Sequence, residues 1–576
     1  MLAPIKSKLP IKAHWRQHFL RLATAPEFLF SLIVVTISLS GLVMWLFPRS
    51  PALPFVAAIL AATVVIFSAL SISSIFGNSI SGKIWPQIFC GLAFTIGWIV
   101  VAIRLGSSSF AIDDEIYSWN MWAIQHALGN AADFSYTQAP YPQLLPYWMG
   151  SLYRAIDNLR SQGFVRLFLS TAFLIYFGTL IAVIRRAPTR LQWLGLIVVL
   201  LGFKKLGIEN LFSIGLADPL MAATLLCSVS CLLRFDENPA RLDWLITSIL
   251  TAIAGAFIKQ PALLWGIISL PLLTIFFVLK KKWPPLTIAL VLAGAITCAI
   301  WPLTEGSGFY HNTGVVQRSI ADRTLLSQFT LSVQKFLLNR PLLFLLTIAS
   351  FALAWRATIT IALWFTLIFP SMLLWFVYGS YDLRLGLHII GLMLLILLYG
   401  MGKSTKTKPN TETSTLSLKA YCLQTALIIC LAATAISFGI KMKVHTFANF
   451  SDGVKMTIEE HYGKDAPWVI DELLKKNLGI FATSNYIYGV FYGQAPVSRP
   501  NYAVPYDSTQ LIKELSSDHI EYAAETDKFG FGPASKILKD LILRCPQVFS
   551  VAAASIPHYG FTIYKIDKNR LLQECQ

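Results

Sequence analysis

Charge is what this sequence has least of: Asp, Glu, Lys and Arg make up 13% of its 576 residues, about half the share of a soluble globular chain. Acids are scarcer than bases, 30 against 47. A chain so poor in charge cannot cover a soluble surface of this size, which excludes the soluble classes. The eight cysteines show no metal-ligand spacing, so zinc modules are excluded. Cys227 and Cys231, four apart in an apolar run, read as packing. No glycine-rich phosphate loop opens a helix, so no nucleotide site is assigned. No repeat of fixed period is present. The net charge of +17 comes from dispersed basic residues, and no nucleic-acid module accompanies it, so nucleic acid is not an expected partner. The N-terminus carries Lys6, Lys8, Lys12, Arg16 and Arg21 but no cleavable signal, and the first apolar run is expected to stay as an anchor.

What the chain does have is apolar length. Runs at 28–47, 54–74, 86–105, 164–184, 191–203, 217–233, 244–258, 261–279, 285–302, 341–355, 358–378, 385–400 and 418–440 are candidate spans, about thirteen helices at or near the length that crosses a bilayer. If they alternate, the basic stretches fall on one side: the N-terminal cluster, Lys83, Arg185–Arg190, Arg234 with Arg241, Lys280–Lys282, Arg356, and Lys403 to Lys408. That side is read as the cytoplasm, with the N-terminus on it. The opposite side then holds loops 106–163, 204–216, 303–340 and 379–384. Residues 401–417 are polar and of low complexity, as in a flexible cytoplasmic linker. From 441 the composition becomes that of a soluble domain. Strand-like 478–484, 519–524, 548–553 and 560–566 alternate with helical 508–515 and 534–543, which predicts a small extracytoplasmic α/β domain over 441–576. Cys545 and Cys575 lie in it and can pair if it is extracytoplasmic; the sequence leaves the pairing open. The expected architecture is thus a polytopic α-helical membrane protein, 1–440, with an α/β tail.

Four groups of ionisable residues lie at the outer ends of these spans. Asp113-Asp114-Glu115, with Tyr117 close behind, opens the large loop 106–163; it reads as a wet loop or as a functional acidic cluster. In the same loop the segment 136–148, rich in Pro, Tyr and Trp, reads as short helices along the membrane surface, its aromatics at headgroup level. Asp218, before Pro219 at the start of a span, is either a helix N-cap or a functional acid. Lys259, in Lys259-Gln260-Pro261 between two spans, either snorkels to the interface or meets an anion. Arg384 and His388 are four apart; Arg384 pairs with Asp382 or with an anion, and His388 packs in the core or faces a ligand. One acidic cluster plus two cations matches transfer from a lipid phosphate. The leaving phosphate needs cations, and the acceptor hydroxyl needs a single general base. Glycoside hydrolysis would need two carboxyls.

These residues resemble the C-type membrane glycosyltransferases (the GT-C superfamily), particularly the bacterial branch similar to protein O-mannosyltransferases and lipid A aminoarabinose transferases. Asp114-Glu115-Ile116-Tyr117 resembles that family's acidic pair in the first outer loop. Tyr141-Pro142-Gln143-Leu144 resembles its proline motif, with Gln143 where a second proline is usual. Ala217-Asp218-Pro219 is similar to its second acidic motif, and Lys259-Gln260-Pro261 and Arg384 to its lysine and arginine loops. Three spans precede the acidic loop here, where many members have one. The resemblance implies inverting transfer of a sugar from a polyprenyl-phosphate carrier in the bacterial inner membrane to a surface glycan, lipid or protein. Asp114 would be the base and Asp113 the neighbouring alternative. Glu115 and Asp218 would orient the acceptor or a divalent metal, whose need is left open. Lys259 and Arg384 would hold the phosphate, with His388 and Tyr117 also touching substrate. The alternatives are a multispan transporter or lipid-carrier flippase, a different class, and a glycan polymerase or ligase of similar chemistry. Transporters usually keep their polar groups at mid-bilayer and carry internal repeats.

Overall fold

The computed structural model describes residues 25–77, 95–103, 110, 115–132, 134, 141–159, 161–184, 186, 194–195, 198–199, 212, 216–304, 324–334, 340–378, 383–403, 476, 478–483, 488, 492, 497–498, 507–526, 532–555 and 561–575. Ten of the thirteen expected spans are helices in it. Expected span 86–105 is described only over its helical end 95–103, span 191–203 only at four residues, and span 418–440 lies outside the described residues, as do 404–417 of the expected linker. Residues 401–403 continue the preceding helix.

The first two spans are α1 (Pro26–Leu46) and α2 (Leu53–Gly77). In the large loop expected at 106–163 a π-turn, Glu115–Asn120, runs into α3 (Met121–Ala127), and α4 (Leu144–Ile156) follows with Pro146 in its first turn. Then come α5 (Gln162–Ile184), α6 (Ala217–Glu237), α7 (Leu242–Ile258), α8 (Pro261–Leu279) and α9 (Leu286–Thr304). They are followed by α10 (Leu325–Val333), α11 (Pro341–Ala354), α12 (Thr358–Val377) and α13 (Leu383–Lys403). Eight of these helices are long and apolar enough to cross a membrane, and α7 and α11 are shorter apolar helices.

Where lipid tails are as apolar as leucine, helices are held together by close packing and small polar groups rather than by hydrophobicity. α6 shows this. It is buried on nearly every side and carries Thr224, Cys227, Ser228, Ser230 and Cys231 among its apolar residues. Ser228 Oγ donates to the Ser248 carbonyl of α7 (2.7 Å) and accepts from Trp265 Nε1 of α8 (2.8 Å). Ser31 Oγ of α1 lies 3.3 and 3.6 Å from the Cys227 and Cys231 sulfurs. These cysteines pack, as the sequence suggests, and no group of three or more His, Cys, Asp or Glu able to hold a metal occurs among the described residues. α8 and α12 each contain a π-turn, Leu264–Ser269 and Trp364–Ile368. A π-turn displaces one carbonyl from the helical ladder, and Ser269 Oγ donates to the Thr366 carbonyl (2.7 Å), joining the two turns.

The helices of the large loop dock on the bundle. α4 packs on α1, α2 and α3, and Trp122 and Trp148 are fully buried within the protein core. Ser40 of α1 and Ser151 of α4 share a 2.6 Å hydrogen bond. Of the proline-rich segment, residues 141–148 are described, and Trp148 in it packs into the protein core.

α6 rises about 1.5 Å per residue, so its 21 residues place its ends a hydrocarbon thickness apart. At its C-terminal end four residues of the expected basic stretches, Arg186, Arg234, Lys282 and Lys403, meet acids. Glu27 is fully buried and accepts from Arg186 and from Arg234 (3.1 Å). Glu237 lies 3.9 Å from Arg186 and 3.1 Å from Lys403, and Asp236 is 2.8 Å from Lys282. Arg186 and Arg234 are thus partners of a buried acid rather than solvated loop charges.

The C-terminal part is a five-stranded sheet of β1 (Gly479–Ala482), β2 (Val497–Ser498), β3 (Ile520–Thr526), β4 (Phe549–Ser555) and β5 (Phe561–Ile566), in the order β2-β1-β3-β5-β4. β1 pairs in parallel with β2 and β3, and β5 runs antiparallel between β3 and β4. α14 (Ser508–Leu515), α15 (Gly532–Arg544) and α16 (Lys568–Glu574) accompany it. Successive residues of a strand face opposite ways. Ile480, Ala482, Tyr522, Ala524 and Ile563 belong to the same buried cluster as the membrane helices, while Phe481, Ala523 and Ile566 cluster with the helices of the tail. Cys545 and Cys575 form a disulfide across 30 residues. Closing a loop of that length is expected to stabilise the tail by about 3–4 kcal/mol. Cys575→Ser should therefore lower the melting point of the tail and expose it to protease; an unchanged protection pattern would show that the bond constrains nothing.

Candidate functional site

At the opposite end of α6, three elements bring three charges together. Leu216 is the N-cap of α6 and makes no side-chain cap, so Asp218, one residue inside the helix, does not cap it. Its carboxylate turns instead to Lys259, whose Nζ donates to both oxygens, 2.7 Å to Oδ1 and 2.8 Å to Oδ2. Arg384 Nε stands 3.7 Å from Asp218 Oδ2. Asp218 is 1% exposed, and the side chains of Lys259 and Arg384 are 13% and 15% exposed. Snorkelling does not describe Lys259: its ammonium is turned inward to a buried acid.

Local structure explains the convergence. Lys259 ends α7 in an extended conformation, and Pro261 opens α8 at its first position, where a missing N–H costs nothing. The turn between them holds the lysine at the end of the bundle. One turn below, Gly255 lets α6, α7 and α8 approach; a Cβ there would stand 3.1 Å from Thr224 Oγ1 and 3.2 Å from Ala262 Cβ. Arg384 lies in the 3-10 turn Leu383–Gly386 that opens α13. Gly386 has no room for a Cβ against the Trp375 indole, and Tyr176 OH of α5 donates to the Leu387 carbonyl (3.2 Å). Both contacts fix how α13 enters. His388, one turn after Arg384, is buried in the field of Asp218 and Lys259, and its Nδ1 has no hydrogen-bond partner among the described residues.

Two cations around one carboxylate leave a net positive charge in a mostly dry place. This set suits an anion and does not suit a divalent cation, because both Asp218 oxygens already accept from an ammonium and a guanidinium stands beside them.

Asp113, Asp114 and Asp382 lie outside the described residues, and of Glu115 and Tyr117 only the backbone of the π-turn is described. What flanks the acidic segment is well defined. Before it, the Phe110 N–H donates to Gln162 Oε1 (3.0 Å), and the buried Arg166 guanidinium covers the Phe110 ring at 5.2 Å. After it, Tyr153 OH donates to Asn120 Oδ1 (2.6 Å). Both ends of the segment are therefore tied to α4 and α5. Gln143, the departure in the proline motif, joins α4 to α3. Its Nε2 donates to the Tyr141 carbonyl and its Oε1 accepts from His126 Nε2, each at 3.0 Å. Burial holds the His126 imidazole below its ordinary range, against the pull of that bond. Sequence reading missed Arg166, Gln162, Tyr153 and Glu27. Arg166 and Glu27 had a signal, a charge inside the first turns of an apolar helix.

No family model matches the chain, and no curated protein matches it by sequence. Among solved structures it is similar to ArnT from Cupriavidus metallidurans. The likeness holds for the form bound to undecaprenyl phosphate (TM-score 0.53) and for the apo form (0.50), each at 12% identity over 84% of this chain and 98% of that one. The likeness shows a shared fold, and its helical, multispan character is the fold class expected from the sequence.

Proposed function

We propose that this chain is a membrane glycosyltransferase that moves a sugar from a polyprenyl-phosphate donor to an acceptor outside the cytoplasm. The observation that carries the reading is the Asp218–Lys259–Arg384 cluster at one end of the bundle; the shared fold with a protein crystallised with undecaprenyl phosphate supports it. In this reading Lys259 and Arg384 bind the donor phosphate and stabilise the charge it gains as the sugar's C1–O bond breaks. Asp114, or its neighbour Asp113, takes the proton of the acceptor hydroxyl. The hydroxyl oxygen then attacks C1 from the face opposite the phosphate, so the configuration inverts and polyprenyl phosphate leaves. Glu115, Tyr117 and His388 contact the substrates. No step is assigned to a metal.

The same reading makes the cluster end extracytoplasmic, and the end that gathers Glu27, Glu237 and Lys403 cytoplasmic, in a bacterial inner membrane. It divides the chain into a transferase domain, 1–440, with a linker at 401–417, and a C-terminal domain, 441–576. The Cys545–Cys575 disulfide supports an oxidising compartment for that domain.

The test is purified protein in nanodiscs with a panel of polyprenyl-phosphate sugars, released polyprenyl phosphate being measured by mass spectrometry. Asp114→Asn is expected to lower release on the order of 100-fold, with membrane insertion unchanged. Full activity in that variant removes Asp114 as the base. Solute uptake into vesicles without consumption of any donor turns the reading to a transporter.

A further inference from the structure

A phosphate site made of two cations has no evident need of a resident carboxylate, yet Asp218 sits against both. It does not cap its helix, because Leu216 holds that place without a side-chain bond. It does not suit a metal, because both its oxygens accept from Lys259. It is also the most deeply buried of the three, 1% exposed against 13% and 15% for the side chains of Lys259 and Arg384. The cations thus keep more surface in reach of a ligand than the acid does. A phosphate bound to both cations would stand within about 4–6 Å of that carboxylate, the range in which like charges disfavour one another.

We propose that Asp218 is a built-in counter-anion that keeps Lys259 and Arg384 together while the site is empty and weakens their hold on the phosphate, so that the product leaves. The proposal rests on the glycosyltransferase reading above. Charge gives it direction. The donor is a phosphodiester with one negative charge, whereas the released polyprenyl phosphate is a monoester whose second proton leaves at a pKa of about 6. Two bare cations would favour the dianionic product over the monoanionic donor, and turnover would stall on product. A fixed negative charge beside the cations opposes the dianion more than the monoanion and narrows that gap.

The experiment measures undecaprenyl phosphate binding to the full-length protein in nanodiscs, with Asp218→Asn, Lys259→Gln and wild type compared at pH 5.5 and pH 8. Asp218→Asn is expected to bind about tenfold tighter, the low end for removing one close charge–charge interaction. The gain should be larger at pH 8, where the monoester is a dianion, and the variant should turn over more slowly with stronger product inhibition. Lys259→Gln should bind more weakly. Asp218→Ser carries the same expectation if the Asn protein does not accumulate. A purely structural acid would make every variant bind more weakly at both pH values, so equal or weaker binding by both neutral variants overturns the proposal. Wild-type protein that binds no undecaprenyl phosphate overturns the glycosyltransferase reading itself, and the proposal with it.

Discussion

Lys259→Met is expected to lower sugar transfer by about a thousandfold while the protein still folds and inserts. Removing one partner of a buried, hydrogen-bonded charge pair costs about 2–5 kcal/mol, and each 1.4 kcal/mol is tenfold. Two losses coincide here. The donor phosphate loses one of its two cations, and Asp218 is left with only Arg384, 3.7 Å from its Oδ2, to offset its charge. Met keeps the length and apolar stem of lysine, so the tight turn into Pro261 is preserved. Lys259→Arg separates charge from geometry. A guanidinium meets a carboxylate with two nitrogens in a larger planar fork, where the ammonium uses one, so this variant keeps the charge but displaces it and should recover donor KM before it recovers kcat. The measurement is kcat and donor KM on a donor identified by mass spectrometry. Wild-type values in Lys259→Met would remove the cluster from the reaction.

How far the sequence discloses this site depends on what hydropathy can report. Span boundaries give depth, so Asp218, Lys259 and Arg384 were each legible as charges at the end of a helix. That they share one end of the bundle was also legible, because Arg186, Arg234, Lys282 and Lys403 gather at the other. Adjacency was not legible. Asp218 and Lys259 are 41 residues apart, and a helix apolar on every face does not show which face meets which neighbour. The glycines that decide this, Gly255 and Gly386, are not distinguishable in the sequence from any other glycine in a span. The elements of the tail were easier, since their period-2 and helical patterns are local: the strand expected at 560–566 is Phe561–Ile566 and the helix at 508–515 is Ser508–Leu515. The large loop was less legible for a definite reason. Tyr and Trp near a membrane end suit headgroups, a docked helix or both, and the packing of α4 on α1 and α2 is a tertiary fact that hydropathy does not carry.

Glu27→Ala is expected to be the most destabilising single change outside the site, costing about 3–5 kcal/mol. Glu27 has no exposed side-chain surface and accepts from two arginines, Arg186 and Arg234, whose side chains are 18% and 29% exposed. Its removal leaves two partly dry cations facing each other, with Glu237 the remaining acid, at 3.9 Å from Arg186. The readout is thermal melting of the full chain in detergent, where the variant should melt well below wild type. Replacing the acid and both arginines together by leucine should recover much of the loss, because an apolar set of similar volume leaves no charge unpaired. A Glu27→Ala melting point equal to wild type would show that water reaches this layer and already carries the charges. The lesion sits about a hydrocarbon thickness from Asp218, so donor KM in the protein that remains folded should be unchanged. A shift in KM would instead mean that α6 transmits strain from one polar layer to the other.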